Sequence, residues 1–131
     1  MKHYLADTHA LLFYLSQPNR LGTAARRAFD GLGSTSTIHV SSLSLWEVAL
    51  LHERGQVRLG AGYSAWSEAV AAESGLKVEP LFPADIEQAR ALAHLLDPFD
   101  RLIAGTALRL GVPIIGKDQR MKRGGRVRLV W

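Results

Sequence analysis

Residues 3–16 read HYLADTHALLFYLS, and the fold follows from how that stretch changes period. Residues 3–6 have the length and character of a short buried strand, and Asp7 ends it. From Thr8 to Ser16 the spacing becomes helical, with Leu11, Leu12 and Leu15 along one stripe. Pro18 and Asn19 stop that helix. A strand that hands the chain straight to a helix, with an acid at the junction, opens a βαβ unit.

The alternation continues outward. A second helix is predicted over 23–30, then a GLGSTST loop and a strand over 37–41. Ser42 or Ser44 can cap a helix that runs through Glu53 to Arg54 and stops at Gly55. A helix over 63–74 ends at Gly75, and residues 77–81 alternate as a strand. Pro83 opens a helix predicted through Leu96, and Pro98 opens another through Leu110, closed by Gly111. Residues 112–115 and 127–130 supply the last strands. The expectation is an α/β fold of three layers, with a central, mainly parallel sheet covered by helices on both faces through right-handed crossovers.

Composition narrows the class. A chain of 131 residues with 47% hydrophobic and 21% charged content can bury a core as one domain, taken here as 1–131, and is neither disordered nor fibrous. No apolar run approaches the roughly 20 residues needed to cross a bilayer, and MKHYLADTH meets an acid too early for a signal peptide, so a cytoplasmic protein with no membrane contact is expected. There is no cysteine, which excludes disulfides, thiolate ligands and a thiol nucleophile. Any metal must then be held by oxygen or imidazole, which favours a hard cation such as Mg²⁺ or Mn²⁺.

Four acids stand inside or at the end of apolar runs: Asp7 in YLADTHALL, Glu47 in SLWEVALL, Asp100 in DPFDRLIAGTAL and Asp118 in PIIGKDQR. A buried carboxylate stays charged only beside a cation or a dense set of hydrogen bonds. Asp7 and Asp118 each follow a predicted strand, and ligands in parallel sheets bind beyond the carboxyl ends of strands. Glu47 shares a stripe with Leu43, Leu50 and Leu51, and Asp100 with Ile103, Ala104 and Ala107. Together they suggest one metal centre. Each acid also has a structural reading. Asp7 can cap the helix after it, Asp118 can cap the short DQRM turn, and Glu47 can pair with Arg54 or another arginine. Asp97 is read as the cap of the helix opened by Pro98, and Asp100 either reaches back to that cap or joins the metal site.

The net charge of +4 gathers near the end of the chain, where Lys117, Arg120, Lys122, Arg123, Arg126 and Arg128 face only Asp118. This is either a solvated surface or a phosphate-binding one. The histidines show no ligand spacing, and His9 is expected to point away from Asp7. Phe13, Tyr14, Trp46 and Trp66 read as core or dimer contacts, not stacking platforms.

The succession YLADTHALLF, SLWEVALL and DPFDRLIAGTALRLGVPIIGKD resembles the PIN-domain nucleases, and among them the VapC-type toxins of bacterial type II toxin–antitoxin modules. The resemblance runs from Tyr4 to Asp118 in the family's order. It implies a PIN-like fold and a ribonuclease in which Asp7, Glu47, Asp100 and Asp118 bind Mg²⁺ or Mn²⁺. A metal-activated water would hydrolyse an RNA phosphodiester, leaving a 5′ phosphate and a 3′ hydroxyl. Lys117, Arg120 and Lys122 would hold the RNA. It also implies a cognate antitoxin and a homodimer, and apolar surface around Leu11, Leu12, Leu15 and Leu51 could serve either contact. One position departs from the pattern: the family often has Thr or Ser where Gly116 stands, so a hydroxyl that would orient a ligand or water is missing. Two other classes fit parts of the sequence. Asp7 could be the nucleophile of a phosphoryl-transfer enzyme, although His9 stands where a second acid is expected. The basic end could also serve a non-catalytic nucleic-acid-binding or regulatory module.

Overall fold

A computed structural model describes residues 1–131. Five strands form one sheet: β1 Lys2–Ala6, β2 Ser36–Ser41, β3 Leu76–Glu79, β4 Ile114–Ile115 and β5 Leu129–Val130. Their order is β3-β2-β1-β4-β5, and every pairing is parallel. Six helices connect them: α1 Thr8–Ser16, α2 Thr23–Asp30, α3 Ser42–Glu53, α4 Tyr63–Ala72, α5 Pro83–Arg90 and α6 Pro98–Leu110. The predicted α/β architecture holds, with a wholly parallel sheet.

Alternation along the strands divides the core in two. Ala6, Ile38, Val40 and Ile115 face α1, α2 and α4, where Leu11, Ala25, Phe29 and Val70 cover them. Leu5 and Ile114 point to the other face, where Leu92, Ile103, Ala104 and Ala107 cover them. The α3 helix closes the end of the sandwich, giving Leu45 to one cluster and Leu43 to the other. No helix is long and apolar enough to cross a membrane.

Two expectations fail here. The helix opened by Pro83 stops at Arg90, not Leu96. Arg101 Nε donates to the Ala89 carbonyl at 2.9 Å and its terminal nitrogen to Arg90 at 3.3 Å. A side chain from α6 thus satisfies carbonyls that further helical turns would have used. The released segment lowers Leu92 and Leu95 into the core. Likewise Leu11 and Leu12 do not form a contact surface. They are 0% and 7% exposed, covered by the chain's own core, and the large exposed apolar side chains lie elsewhere, at Met1, Trp46, Leu81, Phe82, Ile86 and Leu96.

The strand order reverses direction at β1, whose neighbours β2 and β4 lead to opposite edges of the sheet. Such a switch point opens a crevice at the carboxyl ends of the two central strands. Asp7 follows β1 and Gly116 follows β4, so both stand at its mouth.

Candidate active site

Asp7 leaves β1 in extended conformation and serves as the N-cap of α1, with Oδ1 accepting from the Thr8 amide at 2.7 Å. The Asp7 amide donates to the Ile115 carbonyl at 2.9 Å, which fixes the backbone to β4. Thr8 Oγ1 lies 2.8 Å from Glu47 Oε1 and 2.9 Å from Ser44 Oγ. A hydroxyl has one proton, so Thr8 donates to the carboxylate and accepts from Ser44. The first turn of α1 thereby orients an acid that belongs to α3.

Asp97 caps α6, accepting from the Phe99 amide at 2.8 Å and the Asp100 amide at 3.1 Å. With the cap occupied by Asp97 and Pro98 fixing the first turn, the Asp100 carboxylate faces the crevice instead of reaching back. Asp118 caps a short 3₁₀ turn over Gln119–Lys122, accepting from the Arg120 amide at 3.0 Å. It also receives the Arg120 guanidinium on both oxygens, at 2.8–3.2 Å.

These acids line one cavity of about 380 Å³, with Asp7, Glu47, Asp97, Asp100 and Asp118 in its wall. Its charge balance is uneven. Burial pushes the Asp7 carboxyl above its ordinary value, against the Thr8 amide bond and the His9 ring, while Glu47 and Asp118 push it further up. Asp100 is raised to about 7 by burial and by the charges of Asp7, Asp97, Glu47 and Asp118. Asp118 moves the other way, held down by the Arg120 hydrogen bonds. Acids that raise one another's proton affinity form a site of excess negative potential.

As the side chains stand, no three His, Asp or Glu groups are close enough to share an ion. Asp118 is turned into Arg120, and Glu47 is held by Thr8. The donor set nevertheless suits a hard divalent cation: it is all carboxylate, it shares a solvent-reached cavity, and its repulsion is what a cation relieves.

Residues 4–127 match the PIN domain family. The chain belongs to that family. Ribonuclease VapC22 of Mycobacterium tuberculosis is 29% identical over 124 residues, covering 93% of this chain and 92% of that protein. VapBC2 from Rickettsia felis, solved bound to a DNA fragment from its promoter, superposes with a TM-score of 0.72 at 15% identity over 97% of this chain and 96% of that one. DNA-bound VapBC from Salmonella typhimurium gives 0.71 at 19% identity over 98% and 97%. At such identities the likeness is one of fold, and it gives the predicted architecture its name, a PIN-like fold.

Within this PIN domain the four predicted acids and Asp97 meet in one cavity, but not in the manner foreseen. Only Asp7 is fully buried; Glu47, Asp100 and Asp118 are half-buried. Glu47 makes no ion pair with Arg54 or any other arginine. Lys117 and Arg120 line the cavity, whereas Lys122 does not. His9, expected to point away, lines it too, and so do Phe13 and Trp131.

The deepest acids are two that the sequence did not single out, Glu79 at 5% and Asp85 at 0% exposure. Asp85 pairs with Arg109, accepts from Thr106 Oγ1 at 2.9 Å and takes the Phe82 amide at 3.1 Å. Glu79 meets His39 at 2.8 Å and Arg109 at 3.4 Å. These charges are compensated inside the fold and are structural. The available signal was local: Asp85 stands three residues after Phe82, where a carboxylate reaches back to a helix start.

Proposed function

We propose that this PIN domain, a single nuclease unit over residues 1–131, is a metal-dependent endoribonuclease that hydrolyses RNA phosphodiester bonds as the toxin of a toxin–antitoxin module. The observation that carries the reading is the cavity at the sheet's switch point, where Asp7, Glu47, Asp100 and Asp118 converge and two of them are driven toward protonation by burial and then by their neighbours. The names of the similar proteins support the rest: one is a ribonuclease, and the solved relatives are VapBC assemblies.

Asp7 and Asp100 are assigned as the principal holders of Mg²⁺ or Mn²⁺, with Glu47 and Asp118 completing the site. Such an ion, when bound, supplies a water of lowered pKa and positive charge for the phosphate. The protein's own groups do the remaining work. Asp100, with a pKa of about 7, would hold the ion in its deprotonated form, so binding there would release a proton near neutral pH. Thr8 keeps one Glu47 oxygen fixed, and its α1 amide holds one oxygen of Asp7, so the second oxygen of each acid is left for the cavity. Asp118, which Arg120 now holds on both oxygens, would have to leave that guanidinium to help hold the ion. Lys117 and Arg120 would face the RNA backbone from the cavity wall, and Lys122 would contribute from the adjoining surface. A cytoplasmic protein pairing with an antitoxin and forming a homodimer completes the proposal.

The test is cleavage of total RNA by purified protein with Mg²⁺ or Mn²⁺, ends mapped, against Asp7→Asn and against excess EDTA. New 5′ phosphates and 3′ hydroxyls that vanish in both controls are expected. Full activity in EDTA or in Asp7→Asn removes the nuclease reading. RNA binding without cleavage under any divalent ion, persisting when all four acids are neutralised, would identify a non-catalytic module instead.

A further inference from the structure

The acid cavity does not end at its carboxylates. Its far wall is Phe13 and Trp131, whose rings meet edge to face with centroids 6.2 Å apart and planes at 65°. Phe13 is 8% exposed and backs the indole, while Trp131 is half-buried and presents the larger free face. The indole is held in place. Its backbone carbonyl accepts from the Ala25 amide at 2.9 Å, and a Cβ at Gly22 would come within 2.6 Å of Trp131 Cδ1.

Cations flank this wall without acidic partners. Lys117 Nζ stands 5.6 Å from the Trp131 ring and 5.7 Å from Phe13, and the Arg20 guanidinium covers Phe13 at 4.3 Å. Neither belongs to an ion pair, and neither does Arg58. A second groove shares His9 and Phe13 with the acid cavity and continues between α1 and the segment after α3, where Arg20 and Arg58 line it. Acids, a fixed aromatic face and then two guanidiniums outside any ion pair, that of Arg20 over Phe13 and beside Gln17, lie along one continuous path.

We infer that this path is a binding track for single-stranded RNA, in which Trp131 stacks the nucleobase next to the scissile phosphate while Lys117, Arg20 and Arg58 take the phosphates leading away over α1. The inference rests on the nuclease reading for its direction. Its physical basis is the usual pairing of an aromatic platform with a basic groove in single-strand recognition, since every base offers a ring face and every linkage a negative charge. A rigid indole adds little ordering entropy to that contact. It also gives the unpaired cations of the α1 side a use that the charge run over 117–128 does not supply.

The test is binding of a fluorescein-labelled oligouridylate by the whole protein in EDTA, where cleavage cannot intervene. Trp131→Leu is expected to weaken binding roughly tenfold, the loss of one stacked base, whereas Trp131→Phe keeps a ring face and stays close to the parent protein. Arg58→Ala is expected to lower the slope of log affinity against log salt by about one, independently of any effect of Trp131 variants on folding. Arg128→Ala, on a basic surface away from the track, serves as the control. The track is overturned when Trp131→Leu and Arg58→Ala both bind like the parent, or when a duplex binds as well as the single strand. It is overturned equally when those variants spare RNA binding and instead abolish association with a protein partner. Should this binding pattern hold with no divalent-dependent cleavage, the nuclease reading falls and the track stands; cleavage without the pattern overturns the track and leaves the nuclease reading in place.

Discussion

A Cβ on Gly116 would lie 3.1 Å from Asp7 Oδ2 and 3.1 Å from Asp7 Cβ. The residue after β4 and the residue after β1 therefore press together across the switch point, and a hydrogen at position 116 leaves the second Asp7 oxygen open to the cavity. The same closeness means that a serine hydroxyl at 116 would fall within reach of that carboxylate. Gly116→Ala should crowd Asp7 without offering a donor and lower kcat on the order of tenfold, short of the hundredfold that a 1 Å misplacement can produce. Gly116→Ser should recover part of the loss, because its hydroxyl donates where the methyl only crowds. Equal activity in the parent protein and Gly116→Ala would show that Asp7 Oδ2 takes no part in the chemistry.

Asp100 gives the metal-free protein a pH dependence of its own. Its folded pKa of about 7 lies above its ordinary value of 3.8. The folded state therefore binds more protons than the unfolded state between these values, and stability is highest below the lower one and declines as pH rises through the upper one. Asp7, raised in the same direction, adds to the slope, whereas Asp118 is lowered and acts only in more acidic solution. Thermal melts in EDTA should show the Tm of the parent falling relative to that of Asp100→Asn between about pH 4 and pH 7, a comparison that cancels buried His39, whose lowered pKa works in the opposite sense, and Asp100→Asn should abolish cleavage. Added Mg²⁺ should raise Tm more above pH 7 than below it, because the ion replaces the proton. A parent Tm that climbs relative to Asp100→Asn across this window would refute the assignment.

The fold and the meeting of the acids were legible because they depend on local signals and one general rule. Period change at Asp7 and Asp97-Pro98 at the start of α6 are written in neighbouring residues, and the parallel sheet then carries strand ends to a common edge. What remained illegible depends on distant partners. Arg101 ends α5 from across the helix pair, so no inspection of ALAHLL could place that boundary. The ranking of burial also escaped, because Glu79 and Asp85 are deeper than any catalytic candidate only by virtue of Arg109, His39 and Thr106 arriving from β2 and α6. His9 lines the cavity because it stands in the first turn of α1, two residues beyond Asp7 at the end of β1.

Arg120 is the cation nearest to the site and the one that competes with it. Its guanidinium takes both oxygens of Asp118, so a metal must displace it to use that acid. Arg120→Ala should then lower the Mg²⁺ concentration needed for half-maximal cleavage several-fold while weakening RNA binding and reducing its salt dependence. Because the pair is exposed, the melting temperature should hardly move. The metal titration and the salt titration thus separate the two roles of one residue, and an unchanged Mg²⁺ requirement would leave Arg120 with the RNA role alone.

Arg109 should matter for stability and not for chemistry. It pairs with the fully buried Asp85 and reaches Glu79, and its own side chain is 21% exposed. Removing the guanidinium in Arg109→Met strands Asp85 as a buried charge, for which the expected loss is about 3–5 kcal/mol in urea unfolding. Neutralising the acid as well, in Arg109→Met with Asp85→Asn, removes the orphaned charge and should return much of that loss, since Thr106 and the Phe82 amide still hold the amide side chain. The two substitutions are therefore strongly non-additive. Arg109 stands about 13 Å along α6 from Asp100, so kcat measured well below the melting transition should match the parent protein in both variants. Additive losses in the double variant would show that Arg109 stabilises the fold through its contact with Phe82, whose ring lies 4.7 Å from the guanidinium, and not by neutralising Asp85.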